Sequence, residues 1–396
     1  MRIGFKTVAM LLTIMLAPVL AFAAVPTALA PALPPPTLPA RGWLTLESPH
    51  FLVHFPPGQE DVARRLAWVG EQAHRSLLPK MQYLPEEKTH IVVADVSDVA
   101  NAATRVTPYN YIMVYPVYPD NIGYDSGVVS GSADWFAQLL LHEYTHVLQL
   151  DMHAGNSSRV RRVLGKVPWA ATPNSFLGYA ILEGYATFEE GSLGSGRGDG
   201  SFYDMFLRAA TLENQLPVWD RVIGNYDLLE WNPGPAVYLY GYSLLDYIAC
   251  TYGAEKLSEI HRLHSEKPFL GTNGVISQVL DVPFHDVWDG WRTDLEDRYS
   301  KQREALEPTT ELQVVPTQGH VALWPTWSPD GKQVVYGSTG GVVPSLRLRR
   351  VIDGRMESVA DCGTTSVPSR STNRKLAPPD SSTKVWVCGS RNMLSA

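Results

Sequence analysis

Residues 142–146 read His-Glu-Tyr-Thr-His, two histidines four positions apart with a glutamate beside the first. On a helix, positions i and i+4 lie one above the other on a single face. His142 and His146 can then offer their imidazole nitrogens to one divalent ion, as zinc sites of this spacing do. Glu143 lies about 100° further round the helix, where it can reach a water at that ion and act as a base. Leu139, Leu140, Leu141, Val147, Leu148 and Leu150 flank the motif. Such an apolar surround buries the helix and turns it into a rigid platform for ligands. The competing reading is a buried helix whose histidines only fill core positions.

Catalytic zinc takes three protein ligands and keeps one position open. A third histidine six residues after His146 would mark a metzincin, but that residue is Met152; His153 falls one place late, and Gln149 stands where such a turn needs glycine. The chain offers instead Glu183, within Ile-Leu-Glu-Gly-Tyr-Ala at 181–186. Gly184 and Ala186 lack bulk, which predicts a helix that packs closely on the 142–146 helix. Taken alone, Glu183 also reads as a solvated acid on an amphipathic helix. Paired with the upstream motif, it completes a set of His142, His146 and Glu183 for one Zn²⁺ per chain, with Glu143 as the catalytic base.

His-Glu-Tyr-Thr-His followed by Leu-Glu-Gly-Tyr-Ala-x-x-x-Glu (182–190) resembles the gluzincin clan of zinc metallopeptidases. That clan includes the thermolysin-like and the aminopeptidase/leukotriene-hydrolase families. The resemblance is nearest to bacterial exported peptidases that join such a domain to TolB-type propeller repeats. It implies that Glu183 is the third ligand, that Glu190 is a following acid of the same helix, and that the substrate is a peptide or protein. It also implies a Tyr-x-x-Gly element whose tyrosine polarises the substrate; Tyr238-Leu-Tyr-Gly241 matches, which makes Tyr238 the second catalytic residue. Tyr240 and Tyr242 compete for that role, and the whole run also reads as an aromatic helix face packed into the core. The aminopeptidase signature Gly-x-Met-Glu-Asn is missing upstream of His142, so the resemblance favours an endopeptidase. It covers roughly residues 51–298 and is concentrated at the metal motifs.

The elements that must hold these residues follow from periodicity. Residues 50–55, 90–94 and 109–115 are β-rich, residues 62–78 have helical spacing, and 202–212, 236–252, 254–264 and 282–301 read as helices. The fold class expected is therefore α+β, a zincin-like domain with a small twisted amino-terminal sheet, an active-site helix and a mostly helical second half. His50, His54 and His90 fall on strands and read as structural. A sheet edge beside the metal helix could receive an extended peptide; residues 111–117 and 127–130 are the candidates for it. Asp151, just after the metal helix, reads either as support for a ligand imidazole or as a polar helix end. Arg159, Arg161, Arg162 and Lys166 form the one local basic patch, a solvated face or the rim of the cleft. The glycine-rich stretch 191–200 lacks a phosphate-loop pattern and reads as a flexible loop, a candidate lid.

Domain organisation is read as follows. Residues 1–23 resemble a signal peptide, with Arg2 and Lys6 ahead of an apolar run and Ala-Phe-Ala at 21–23 as the cleavage site. A Pro/Ala-rich spacer fills 24–42, and the peptidase domain 43–305. Residues 306–340 hold one TolB-type repeat, Trp-Ser-Pro-Asp-Gly between two strand-like runs, and 341–396 read as a poorly folded tail of a truncated or frame-shifted β-propeller. A closed propeller needs about four to eight blades. The expected location is periplasmic or extracellular, with no membrane insertion after signal cleavage, and the oligomeric state is left unassigned.

Composition narrows the classes. The 396 residues are 45% hydrophobic with net charge −7 and pI near 5.9, and no basic block marks a nucleic-acid partner. Cys250, Cys362 and Cys388 make no metal pattern, and the odd count leaves at least one thiol unpaired. Two other functions fit the same chain: a non-catalytic scaffold that binds through its propeller, and a zinc hydrolase of a non-peptide amide or ester.

Overall fold

Alternating burial at Phe51, Val53 and Phe55, and again at Thr89, Ile91 and Val93, turns one face of each strand toward a helical core. A computed structural model describes residues 42–96, 100–117, 134–167, 170–193, 196–223, 236–306, 321–339, 345–352 and 355–363. The signal-peptide reading and the spacer reading up to residue 41 lie outside these residues.

Strands β1 (Leu44–Glu47), β2 (Phe51–Phe55), β3 (Thr89–Val93), β4 (Asn101–Arg105) and β5 (Tyr111–Tyr115) form one sheet in the order β1-β2-β3-β5-β4. β2, β3 and β5 run parallel, while β1 and β4 are antiparallel to their neighbours. Helix α1 (Glu60–Met81) makes the crossover from β2 to β3. The edge expected at 111–117 is not an edge: β5 lies inside the sheet, because residues 101–105 fold back on it as β4. The other candidate, 127–130, lies outside the described residues.

Helix α2 (Trp135–Asp151) carries the His-Glu-Tyr-Thr-His motif. Asp134 caps it by accepting a hydrogen bond from the Ala137 amide at 3.3 Å. It is buried on nearly every face, between α1 on one side and β4 on another. Helix α3 (Gly155–Leu164) follows, a helix that its basic composition had masked. Helices α4 (Tyr179–Glu190), α5 (Ser201–Leu212), α6 (Trp219–Val222), α7 (Ala236–Tyr252), α8 (Glu255–Glu266), α9 (Gly271–Leu280) and α10 (Phe284–Ala305) complete a mostly helical second half. The fold is mixed, largely helical with a small sheet, and fits a zincin-like α+β plan.

Gly184 of α4 packs against a different helix from the one its smallness suggested. A Cβ on Gly184 would stand 2.4 Å from the carbonyl carbon of Gly241, so this glycine faces α7 and not the metal helix. Glu183 faces the metal helix, and the next residue is turned about 100° away from it.

Beyond α10, β6 (Val321–Trp327) and β7 (Gln333–Thr339) form the expected hairpin around Pro-Asp-Gly, with Gly331 at φ +67°. The stretch read as a poorly folded tail includes described residues at 345–352 and 355–363. β8 (Ser345–Ile352) and β9 (Arg355–Gly363) extend the hairpin to a four-stranded antiparallel meander. The Leu-Arg-Leu-Arg alternation at 346–349 has the strand period that makes this pairing available. Residues 364–396 lie outside the described ones.

Candidate metal centre

One turn of α2 brings the His142 and His146 rings face to edge, with centroids 4.7 Å apart and planes at 87°. Their Nε2 atoms are 3.1 Å from each other. Oε2 of Glu183, reaching across from α4, is 3.2 Å from the first and 3.0 Å from the second. Among the described residues, His142, His146 and Glu183 are the one group of metal-ligating side chains gathered so tightly. All three are buried.

The triangle fits zinc. With bonds of about 2.0–2.1 Å at tetrahedral angles, adjacent ligand atoms stand about 3.3 Å apart. The chemistry fits too, because each ring's far nitrogen already has a partner. Nδ1 of His142 lies 2.8 Å from Glu190 Oε1, and Nδ1 of His146 lies 2.9 Å from Gln149 Oε1. Both near nitrogens are left facing a carboxylate oxygen, the arrangement a cation resolves.

Charge around the triangle points the same way. Burial would lower the His142 pKa, yet hydrogen bonds to Glu183 and Glu190 raise it to about 9. Burial would raise Glu183, but the charge of His146 and bonds from both histidines hold it well below the ordinary carboxylate range. These carboxylates attract positive charge into a site that excludes water.

Glu190 is itself held fast. The Gln138 amide donates to it at 2.9 Å, the Arg197 backbone N–H at 3.1 Å, and the Arg197 Nε to both oxygens at 3.0 Å. Burial opposes its charge, but Arg197 and His142 overcome that and bring its pKa to about 2. The glycine-rich loop read as a candidate lid therefore contains a strut, Arg197, held against Glu190. A Cβ on Gly196 would meet the Gly191 nitrogen at 2.6 Å, and one on Gly198 would strike the Tyr242 ring at 2.2 Å. Glycine is needed here for close packing.

Glu143 is buried beside the triangle. Its Oε2 accepts a hydrogen bond from Thr104 Oγ1 at 2.7 Å, and the same hydroxyl lies 2.9 Å from its backbone oxygen. Thr104 belongs to β4, which ends the sheet among the described residues, so Glu143 and the sheet edge are in direct contact. Tyr238 stands with its ring centroid 6.0 Å from that of His142, and the Arg197 guanidinium lies 5.0 Å from its centre. Burial first, then the Glu183 charge, keeps its hydroxyl protonated. Of the competing tyrosines, Tyr240 is buried in α7 and Tyr242 donates to Asp199 Oδ1 at 2.8 Å. Tyr203, which the sequence did not single out, is buried, its hydroxyl without a hydrogen-bond partner among the described residues, and feels the charges of Arg197, Glu190 and Glu183.

Asp151 supports no ligand. It is fully buried and gathers Arg161 at 2.8 Å, Lys166 at 2.6 Å, Tyr83 and Asn110 both at 3.0 Å. That network consumes half of the basic patch, so Arg161 and Lys166 are neither a solvated face nor a cleft rim. His50 pairs with Glu71 at 2.7 Å and His54 with His90 at 2.8 Å, away from the triangle. Thr104, Arg197, Gln149 and His261 were missed. Only Gln149 carried a signal, three positions after His146 and on the same helix face.

No protein-family model and no curated protein matches the chain. Two solved structures of native leukotriene A4 hydrolase align with it. The native yeast enzyme does so at TM-score 0.34 and 10% identity, over 69% of this chain and 40% of that one. The other, from Saccharomyces cerevisiae, has TM-score 0.33 and 11% identity over 69% and 40%. The chain thus spans 40% of the length of these proteins.

Proposed function

We propose that this protein is a zinc-dependent hydrolase and, within that class, an exported metallopeptidase that cuts internal peptide bonds. The observation that carries the reading is the buried triangle of His142, His146 and Glu183 with Glu143 beside it and a sheet edge beside Glu143. When bound, zinc would polarise the scissile carbonyl and acidify a water molecule. Every other part of the reaction belongs to the chain. His142, His146 and Glu183 hold the ion. Glu143 takes the proton of the attacking water and passes it to the leaving amine. Thr104 fixes the angle of that carboxylate. β4 offers its outer edge to an extended substrate backbone, which lays the scissile bond along the Glu143 side of the cleft. Tyr238, kept protonated, donates to the negative charge that develops on the carbonyl oxygen.

The test is metal content and cleavage together. Wild type should carry about one zinc per chain. Glu183→Ala should lose most of it, while Glu143→Gln should keep zinc and lose about 10²–10⁴ in kcat on peptides. Full peptide cleavage by Glu143→Gln would refute the assignment of the base. Activity on esters alone, in a mixed peptide and ester library, would move the reading to a non-peptide hydrolase. Sequencing the amino terminus of protein recovered outside the cytoplasm, with a start just after Ala23, tests export.

A further inference from the structure

Glu190 holds Nδ1 of His142, whereas Nδ1 of His146 meets no carboxylate among the described residues. Its Nδ1 meets the side-chain oxygen of Gln149 at 2.9 Å. The other end of that amide lies 3.1 Å from the Leu182 carbonyl oxygen and 3.0 Å from His261 Nε2. His261 in turn places Nδ1 2.8 Å from the Leu257 carbonyl oxygen. Gln149 and His261 are both fully buried, and the Asn174 amide donates to their two backbone oxygens at 2.9 and 3.1 Å.

This chain of bonds has one direction. Backbone carbonyls only accept, so the Gln149 atom facing Leu182 is the NH₂ nitrogen and the His261 nitrogen facing Leu257 carries a proton. A neutral His261 then has a lone pair at Nε2 that accepts the second N–H of Gln149. Both donors of the amide are spent, and its oxygen is left for His146. That oxygen requires a proton on Nδ1 of His146, which leaves Nε2 bare toward Glu183 and His142.

We propose that Gln149 and His261 are positioning residues, a relay anchored on the Leu182 and Leu257 carbonyls that fixes the tautomer and aim of His146. The proposal rests on the reading of His146 as a metal ligand. It makes α8, which holds no ligand, part of the metal centre. Gln149 also ties His146 to the residue just before Glu183, so one amide sets two of the three ligands against each other. Burial keeps His261 neutral, with its pKa pushed down to about 4, so the direction of the relay holds across the physiological range.

The test is zinc affinity, read by competition with a chromophoric chelator on the full chain, alongside the melting temperature of the metal-free protein. His261→Gln places an amide oxygen near the position of Nε2 and keeps an acceptor for Gln149. His261→Asn keeps only a group near Nδ1 and cannot reach it. The relay expects zinc binding close to wild type in His261→Gln and weaker by about 10- to 100-fold in His261→Asn and Gln149→Met. Equal affinity in His261→Gln and His261→Asn, at whatever metal-free melting temperature, overturns the relay, because a purely structural role would move stability and not discriminate between them. Gln149→Met with wild-type affinity overturns it too. Wild type that binds no zinc overturns the metal reading itself, and the relay with it.

Discussion

Gly241→Ala adds one methyl group where α4 and α7 touch, and its effect can be worked from the geometry. A Cβ at this position would stand 2.1 Å from the Ala180 carbonyl oxygen and 3.1 Å from Gly184 Cα. Carbon and oxygen in favourable contact are about 3.3–3.6 Å apart, so the helices must part by roughly 1 Å. The obstacle is helix backbone, which cannot swing aside, so the overpacking cost belongs at the upper end of about 1–3 kcal/mol. Alanine returns about 1 kcal/mol of helix propensity. The net loss of about 2 kcal/mol should lower Tm by about 4–8 °C in a domain of this size. Gly274→Ala in α9 is the control, since its Cβ would meet only Leu270 Cβ at 3.4 Å. There the propensity gain stands alone, and Tm should rise by about 2–4 °C. Tyr238 sits one turn before Gly241, so the same parting of helices displaces it from His142; a misplacement of about 1 Å can cost about 10²-fold in rate. Scanning calorimetry of both variants, with kcat/KM on a peptide substrate, reads all of this. A Gly241→Ala protein that melts at or above wild type would refute the close crossing and the account of Tyr238 built on it.

Two further predictions follow from single contacts. Thr104→Val keeps shape and removes the hydroxyl that holds Glu143, so peptide cleavage should fall by about 5-fold, the equivalent of about 1 kcal/mol, with zinc content unchanged; loss of zinc in this variant would show that Thr104 shapes the ligand set instead. His264 is buried with Nε2 unpartnered among the described residues, and burial lowers its pKa from 6.5 to about 4. A depressed pKa means the unfolded chain binds the proton first, so this stability is complete above pH 6.5 and is lost as pH falls toward 4, about 3 kcal/mol in all. The urea midpoint should therefore drop between pH 6.5 and 4, and His264→Gln should flatten that drop; an unchanged slope would assign the acid sensitivity to other groups.

What the sequence made legible was the part governed by helical spacing. His142, Glu143 and His146 are named by spacing, because a turn of helix fixes which side chains share a face; Glu183, on another helix, came from its pairing with that motif and from the resemblance, and the structure gathers it with the two histidines. Contacts that join distant segments had no such signature. The hub at Asp151 draws Arg161, Lys166, Tyr83 and Asn110 from separate segments, and nothing in the local run of any one predicts the others. Gly184 was recognised as a contact glycine and given the wrong partner, since smallness says that something comes close without saying what. Arg197 was hidden by its setting. Glycines on both sides suggested mobility, where the packing shows that there is no room for a side chain. β4 was missed because Asn-Ala-Ala-Thr-Arg has little β propensity, and its place comes from pairing with β5.

Charge gives a reason to expect a divalent ion in particular. Glu143, Glu183 and Glu190 bring three carboxylates into one buried region, and Arg197 supplies one guanidinium. In the neutral form that binds a metal, both imidazoles are aimed at Glu183, by the relay on one side and by Glu190 on the other. Two negative charges then remain uncompensated where water is scarce, a cost of several kcal/mol per charge in such surroundings. A proton shared between His142 and the carboxylates relieves only part of it, and a monovalent cation would do no better. A divalent ion balances the cluster while using the three atoms that already stand at tetrahedral spacing. It would also leave Glu143, the one carboxylate held by neither Arg197 nor a ligand histidine, as the group free to exchange a proton.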